Sequence, residues 1–345
     1  MGSLQHLPLE GNAGEVLLSG LADIYALKVV AVQSRERGYT VFSHEGIFQL
    51  QCDDNKPETV AMLQRWDNLQ MRGFTGLTPL KATVGGELAF HLDDQIAYLK
   101  ALVSGRPGDL ALMGDALEAA ELLAQLHICS QELPVALQPS MSSGQPMEAD
   151  HGNRKAELDL FAKMATHRLY PTAFDQLFLK AYELTTPQAR QSLQILTAIG
   201  NGDTLIKASN LMGLLRRSYS GRDLRIADDG SAHLRHLKGA AWGLLALDVA
   251  TFLANVGYYS GWSQGAGQRV LTTYTKIRPL EYGEFQLMYG LGIFPNGIWD
   301  VAYEFYKGNR QQDDLQATEA LRRGLARDMA AGDFWRWLLG ADLGL

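Results

Sequence analysis

The residues best placed to do chemistry lie between Asp228 and Asp248. Asp228-Asp229-Gly230 reads as a turn, the alternating run SAHLRHL follows it, and His236-Leu237-Lys238 comes just before a stretch that contains Asp248. Paired carboxylates at such a place could hold Mg²⁺, which takes hard oxygen ligands. A carboxylate or histidine could accept a hydroxyl proton, and a lysine could neutralise phosphate as a fixed counter-charge. Other reactive types are poorer candidates. His127 lies in an Ala- and Leu-rich stretch, where a packed, hydrogen-bonded core histidine is the simpler reading. Cys52 and Cys129 have no His or Cys partners at metal-ligand spacing, so neither reads as a zinc site, and two cysteines make no disulfide framework. Trp299, Tyr303 and Tyr306 share one helical face and are expected in the core. Trp335 and Trp337 would suit a docking patch if they were exposed.

A chain of 345 residues must position these groups, enough for about two domains. With 46% hydrophobic and 20% charged residues it can build a large core without disulfide or metal. Lys and Arg number 31 against 38 Asp and Glu, a formal charge of −7, which argues against coating nucleic acid or an anionic membrane. The start, MGSLQHLPLEGNAGE, lacks a basic region followed by an apolar one, so no secretory signal is expected. The longest weakly charged stretch, Gly239 to Gln268, contains Asp248 and is broken by Gly257, Gly261, Gly265 and Gly267, so no transmembrane segment is expected.

Periodicity supplies the elements. TVFSHEGIFQL reads as a hairpin around Ser43-His44-Glu45-Gly46, ahead of Cys52-Asp53-Asp54. Pro57 to Arg72 carries Val60, Leu63, Trp66 and Met71 at helical spacing and stops at Gly73. TPLKATVGGELAFHL reads as a second hairpin, turning at Gly85-Gly86. Gly105, Pro107 and Gly108 mark a loop or hinge. Helices are expected over Leu110 to Cys129, from Arg154 to Gln194 with breaks near Pro171 and Pro187, and from Ala241 onward. A loop insertion is expected near 134–152, and Leu205 to Gly239 should place a hairpin inside the helical part. The fold class is α+β and bilobal: a small sheet-containing lobe over 1–102 and a large helical lobe over 103–345.

Several of these words, in this order, resemble the protein-kinase-like fold of aminoglycoside and choline phosphotransferases, and within it the CotS-type spore-coat proteins of endospore-forming bacteria. EGIFQLQ is similar to the strand that ends in that family's nucleotide-binding lysine. LQMRGFTGLTPL and LLAQLHICS resemble its helix-to-strand passage and its LA-x-LH-x-x-S helix, and KGAAWGLLALDVATFL the segment after its metal motif. LEYGEFQLMYGLGIFPNGIWDVAYEFYKGN resembles the spore-coat signature, L-x-FP-x-x-x-W before a tyrosine-rich helix. Together they extend from about Tyr39 to Asn309.

The resemblance also says where the family's reactive groups would stand. Phosphoryl transfer in that fold needs a phosphate-binding lysine, a catalytic Asp, and an Asn and Asp on the metal. The lysine position is Gln51, an amide that can donate hydrogen bonds but brings no charge; Asp67 is the candidate for its acidic partner. Aligning the catalytic loop on Leu214-Leu215 puts Ile206, Ala208 and Gly213 at the His, Asp and Asn positions. Using Asn210 instead puts Leu205 at the Asp position. The D-x-D metal motif falls on His236-Leu237-Lys238, with the register set by Trp242-Gly243 and Asp248. An ammonium about 4 Å from a divalent cation, at an effective dielectric near 20, meets roughly 8 kcal/mol of bare repulsion. The resemblance assigns Asp248 a structural role, holding the catalytic-loop backbone, and makes Trp242 and Trp299 structural too.

A family framework with the reactive groups replaced implies a pseudokinase that serves as a structural or interaction component of the bacterial spore coat. It would be made in the mother-cell cytoplasm and assemble on the coat with other spore-coat proteins, without nucleic acid; a homo-oligomer is left open. No cofactor is expected: Mg²⁺ and ATP are both disfavoured, and Gln51, His236 and Lys238 are the residues that would meet any ligand. Two other readings stay open. One is an active ATP-dependent phosphotransferase with relocated groups, Lys56 on phosphate, Asp203 as base, and Asp228 or Asp229 on metal. The other is a magnesium-independent nucleotide or phosphometabolite sensor built on Lys238.

Overall fold

The computed structural model describes residues 6–7, 13–35, 38–139, 147–201, 209–216, 221–308 and 313–340. By internal contacts the chain sorts into two compact units, one of residues 1–109, 125–139 and 220–240, the other of residues 110–124, 140–219 and 241–345. The sequence reading cuts the chain once, after residue 102; the structure interleaves the segments instead. Among the described residues no helix is long and apolar enough to cross a membrane.

The first unit is a sheet with helices on it. Its strands are β1 (His6–Leu7), β2 (Val29–Arg35), β3 (Gly38–Ser43), β4 (Gly46–Asp54), β5 (Leu80–Lys81), β6 (Phe90–Leu92) and β7 (Gln95–Ala101), in the order β1-β6-β7-β4-β3-β2 with β5 also on β7. The tight turn at His44-Glu45 closes β3 on β4 with Ser43 opposite Gly46. The second hairpin of the sequence reading does not form. Thr83 and Glu87 close a turn, the Thr83 N–H donating to the Glu87 carbonyl at 2.8 Å, but β5 and β6 each pair with β7 rather than with each other. β7 is the better partner because Ile96 to Lys100 are all buried, so its backbone must be paired on both edges.

Strand alternation sorts the side chains of β4 onto two faces. Leu50 belongs to an apolar cluster with Val41, Phe90, Ala97 and Leu99, covered by Leu17, Leu21 and Ile24 of helix α1 (Ala13–Tyr25). Gln49, Gln51 and Asp53 point to the other face, in register with Lys100, Tyr98 and Ile96 of β7. Helix α2 (Pro57–Met71) belongs to that face: it starts with Pro57 at its first position, buries Met62, Leu63, Trp66 and Leu69, and sets the Trp66 indole near Lys100.

The supposed hinge is itself a strand, β8 (Gly105–Pro107), antiparallel to β10 (Leu224–Ala227), which pairs in turn with β11 (Ala232–Leu234). Gly105 has φ +135, and a Cβ there would sit 2.0 Å from the Ile226 carbonyl oxygen, so this pairing requires glycine. The hairpin expected inside the helical part therefore belongs to the sheet unit.

The second unit is helical around one two-stranded ribbon. It contains most of α3 (Met113–Gln131), then α4 (Met147–His167), α5 (Ala173–Asn201), β9 (Met212–Leu215), β12 (Ala241–Leu244), α6 (Ala246–Tyr259), α7 (Gln264–Thr275), α8 (Tyr282–Gly292), α9 (Asn296–Lys307) and α10 (Asp314–Gly340). Residues 147–152 of the expected loop insertion are the first turns of α4, with His151 buried. The break at Pro171 is present, but α5 runs straight through Pro187. Pro187 and Glu183 are both exposed, so the carbonyl that loses its intrahelical donor can be met by water. On α9, Ile298 and Ala302 are the core residues. Trp299 and Tyr306 pack only partly, because their polar ends reach carboxylates: Trp299 Nε1 to Glu157 at 2.8 Å and Tyr306 Oη to Asp175 at 2.7 Å. Tyr303 is exposed. Trp335 is fully buried and Trp337 half-buried against Phe334, so neither forms an exposed docking patch.

Candidate functional site

On the polar face of β4 stands Gln51, the residue that the resemblance aligns with the family's lysine; its amide oxygen accepts from Gln49 Nε2 at 3.4 Å. Asp67 is half-buried on α2. The α2 residue that faces this part of the sheet is Trp66, its indole N–H on the Thr78 carbonyl at 2.9 Å and its ring 5.6 Å from Lys100 Nζ. Lys100 donates to the Arg235 carbonyl at 2.9 Å. Burial pushes its ammonium down to about 8; the Arg235 guanidinium acts in the same direction and Asp53 opposes it.

The residues that the resemblance aligns with the metal motif lie in this same unit. His236 and Leu237 follow β11 without continuing it, and Lys238 and Gly239 form a turn with Gly239 at φ +77. His236 is half-buried. Lys238 Nζ lies 3.1 Å from Asp53 Oδ1, with the lysine side chain 62% exposed and the carboxylate 13%. The second oxygen of Asp53 accepts the Tyr98 hydroxyl at 3.2 Å. Burial and the neighbouring Asp53 carboxylate raise the Tyr98 phenol well above its ordinary range. An ion pair therefore occupies this corner, the cation on the metal-motif segment and the anion on the strand.

The alternative groups are placed elsewhere. Lys56 is exposed and pairs with Asp54 at 2.7 Å, which raises its pKa and lowers that of Asp54. Asp229 stabilises its own turn, accepting the Ser231 N–H at 3.0 Å and hydroxyl at 2.6 Å; Asp228 is exposed beside it. Ile206, Ala208, Leu205 and Asp203 lie outside the described residues.

In the helical unit, β9 and β12 pair so that Gly213 faces Gly243 and Leu214 faces the buried Trp242. Gly213 offers no side-chain oxygen or nitrogen. Asn210 is exposed and donates to Glu281 at 3.3 Å. Asp248, 2% exposed in the first turn of α6, accepts the Arg216 N–H at 2.5 Å, which ties down the chain just after β9. His127 is fully buried. Cys52 is half-buried, and burial with the adjacent Asp53 pushes its thiol up to about 11, so it is a poor nucleophile.

The fold family's Mg²⁺ and ATP can be tested against these residues. Among the described residues no group of three His, Cys, Asp or Glu could hold a metal ion. The motif residues present are an imidazole and an ammonium, neither a hard oxygen ligand, so the donor set does not fit Mg²⁺. Asp53 is a single carboxylate already engaged by Lys238 and Tyr98.

Sequence reasoning missed Asp53, Tyr98 and Lys100. In the sequence Asp53 stands out only as part of Cys52-Asp53-Asp54 after the hairpin, although its parity with Gln51 places it on the same face. A cavity of about 460 Å³ in the helical unit was missed as well. Tyr258, Trp262, Trp335, Asp300, Arg327 and Asp328 are among its walls. Trp262 stands at φ +62 with its ring over Gly257, and Trp335 is seated on Gly292, where a Cβ would meet the indole at 2.1 Å. Asp328 accepts the Gly297 and Ile298 N–H groups at 2.8 Å each, yet burial pushes its pKa up to about 7.

No family model matches the chain, and no curated protein matches it. Solved structures do. An aminoglycoside phosphotransferase from Alicyclobacillus acidocaldarius aligns at TM-score 0.75 and 17% identity, over 93% of this chain and 96% of that one. A spectinomycin phosphotransferase, solved with ADP and spectinomycin, gives 0.54 at 12% identity over 92% and 98%. A macrolide 2′-phosphotransferase from Brachybacterium faecium gives 0.50 at 14% over 91% and 98%. At such identities the likeness is one of fold: the chain has the kinase-like α+β fold of aminoglycoside phosphotransferases.

Proposed function

We propose that this protein is a pseudokinase, a kinase-like chain without phosphoryl-transfer activity that serves as a structural or interaction component of the bacterial spore coat. The observation that carries the first half is the Asp53–Lys238 pair. A cation at the metal-motif position is neutralised from within, and Gln51 leaves the phosphate-lysine position without charge. The same positions in an active enzyme would gather carboxylates around a metal and a lysine around phosphate. The spore-coat role rests on the resemblance of the LGIFPNGIW segment and its following helix, and implies coat proteins as partners.

Two measurements test this. Purified protein with ATP, Mg²⁺ and a panel of hydroxyl and amino acceptors should show no transfer above background; transfer that disappears in Gln51→Ala or Lys238→Met would overturn the pseudokinase reading. A fluorescent fusion expressed during sporulation should collect on the forespore surface, and diffuse fluorescence throughout would overturn the coat role.

A second reading, a magnesium-independent phosphoanion sensor, is favoured by one observation. Asp53 pairs with Lys238 and also acts on the buried Lys100, which the Arg235 guanidinium approaches, and Asp54 acts on Lys238 as well. Cations gathered in this way attract anions. Binding of ATP or ADP only in the presence of Mg²⁺ would contradict it.

A further inference from the structure

The cavity of about 460 Å³ lies wholly within the helical unit and has the size of a small-ligand pocket. Helices α6 and α10 both pack on α8, and the cavity takes walls from each of them. Its room comes from small residues, Ala250 and Ala254 on α6 and Ala331 on α10. One end is aromatic. Trp335 is fully buried, and helical side chains lean toward the helix N-terminus, so its indole is directed back along α10 toward Arg327. Trp262 joins the same wall at φ +62, a conformation that bulky aromatic residues seldom adopt, and its N–H donates to the Gly257 carbonyl at 2.6 Å.

The other end carries one charge of each sign, and the two do not satisfy each other. Arg327 Nη2 and Asp300 Oδ2 stand 3.7 Å apart, beyond hydrogen-bond reach, and are 37% and 57% exposed. Among the described residues neither side chain makes a hydrogen bond. Their neighbours are committed elsewhere. Asp328 gives one oxygen to each of the Gly297 and Ile298 N–H groups, so it fixes the start of α9 and with it Asp300. Arg154 also acts on Asp300, but its guanidinium lies on the Trp299 ring and donates to Asn296 while pairing with Asp150. A ligand with an amine and a carboxylate on one carbon matches a pair so closely spaced: the ammonium meets Asp300 and the carboxylate meets the planar guanidinium fork. Such a zwitterion is neutral overall, so it requires no surplus of either charge in the wall.

We propose that this cavity binds a zwitterionic α-amino acid with a large apolar or aromatic side chain, its ammonium on Asp300, its carboxylate on Arg327, and its side chain directed between α6 and α10 toward Trp262 and Trp335. Arg327 and Trp335 lie about 12 Å apart along the α10 axis, a distance the inclined indole shortens and an aromatic side chain can cross. The site needs neither nucleotide nor metal, and it stands apart from the pseudokinase, coat and sensor readings.

Calorimetric titration of the full chain with L-phenylalanine tests this, with glycine, phenethylamine and 3-phenylpropionate as partial probes. L-phenylalanine should bind with a Kd below about 1 mM. Each partial probe lacks the ring or one of the two charges and should bind at least about tenfold more weakly. Asp300→Asn and Arg327→Gln should each weaken L-phenylalanine by about tenfold. Ala331→Leu, which fills the cavity without touching either charge, should abolish binding and gives a second reading should a charge variant fold poorly by circular dichroism. Equal affinity for phenethylamine or 3-phenylpropionate would overturn the zwitterion assignment. An affinity unchanged by both Asp300→Asn and Arg327→Gln would overturn the site. Absence of saturable binding by L-phenylalanine and L-tryptophan up to about 10 mM would overturn the proposal as a whole.

Discussion

Asp248 in the helical unit and Asp53 in the sheet unit are both carboxylates with little exposure, yet different demands hold them in place. Asp248 is 2% exposed and accepts a backbone N–H from Arg216, so it serves the chain's own fold. Asp53 is 13% exposed and pairs with the long, solvent-facing side chain of Lys238. Around Asp248 the framework is tight, with Trp242 and Leu214 buried and packed across β9 and β12. On the proposed pseudokinase reading, Gln51, His236 and Lys238 stand around Asp53 where an active relative would hold its ligand-binding groups, so that reading predicts that the carboxylate serving the backbone is kept while those serving a metal are lost.

The largest effect should come from the framework side. Arg278 and Glu284 form a buried pair at 2.9 Å, 6% and 2% exposed, and Glu284 also accepts the Glu281 N–H at the start of α8. Glu284→Ala leaves a buried guanidinium without its anion and should cost about 3–5 kcal/mol in urea unfolding. A loss under about 1 kcal/mol would mean water reaches that pair.

Lys100→Met comes next, with the opposite sign. The folded-state pKa of about 8 lies below the unfolded value, so the unfolded chain holds the proton more tightly. Stability should therefore rise with pH between about 8 and 10.5, and the full penalty, about 3 kcal/mol, applies at neutral pH. Methionine should recover much of it and flatten that part of the profile in thermal melts across pH. A destabilised variant would show that the Trp66 contact outweighs desolvation.

Asp248→Ala should cost about 2 kcal/mol, since it leaves the Arg216 N–H buried without an acceptor. Chemical denaturation reads this, and local hydrogen exchange at Arg216 should quicken in step. The smallest effects should be at the other carboxylate. Asp53→Asn and Lys238→Met should each change stability by less than about 1 kcal/mol, as part-exposed ion pairs do. Were Asp53→Asn as costly as Asp248→Ala, the contrast between framework and ligand-side carboxylates would fail.

Much of the architecture was legible because its signals are local. The turn at His44-Glu45, the helix opened by Pro57, and the Ala- and Leu-rich α3 each follow from propensity and periodicity. Elements went astray where a distant partner decided the outcome. β5 and β6 flank a turn that should have joined them, but β7, buried from Ile96 to Lys100, claimed both. The hairpin of β10 and β11 reads as a local motif, and only its third strand, β8, assigns it to the sheet unit. Pro187 reads as a break, but its exposed position makes the lost hydrogen bond inexpensive.

By itself the sequence determined that Gln51 and Asp53 share one face of β4, because strand parity is a property of neighbouring residues. It reads as helix from Ala241 onward, whereas Ala241–Leu244 form strand β12, paired with β9, and α6 starts only at Ala246, two residues before Asp248. Only the tertiary structure decided that Lys238 meets Asp53, that Lys100 is buried beside an indole and a carbonyl oxygen, and that Trp335 is inside rather than on the surface. These depend on strand register and on burial by remote segments, and charge pairing across 185 residues leaves no trace in local spacing.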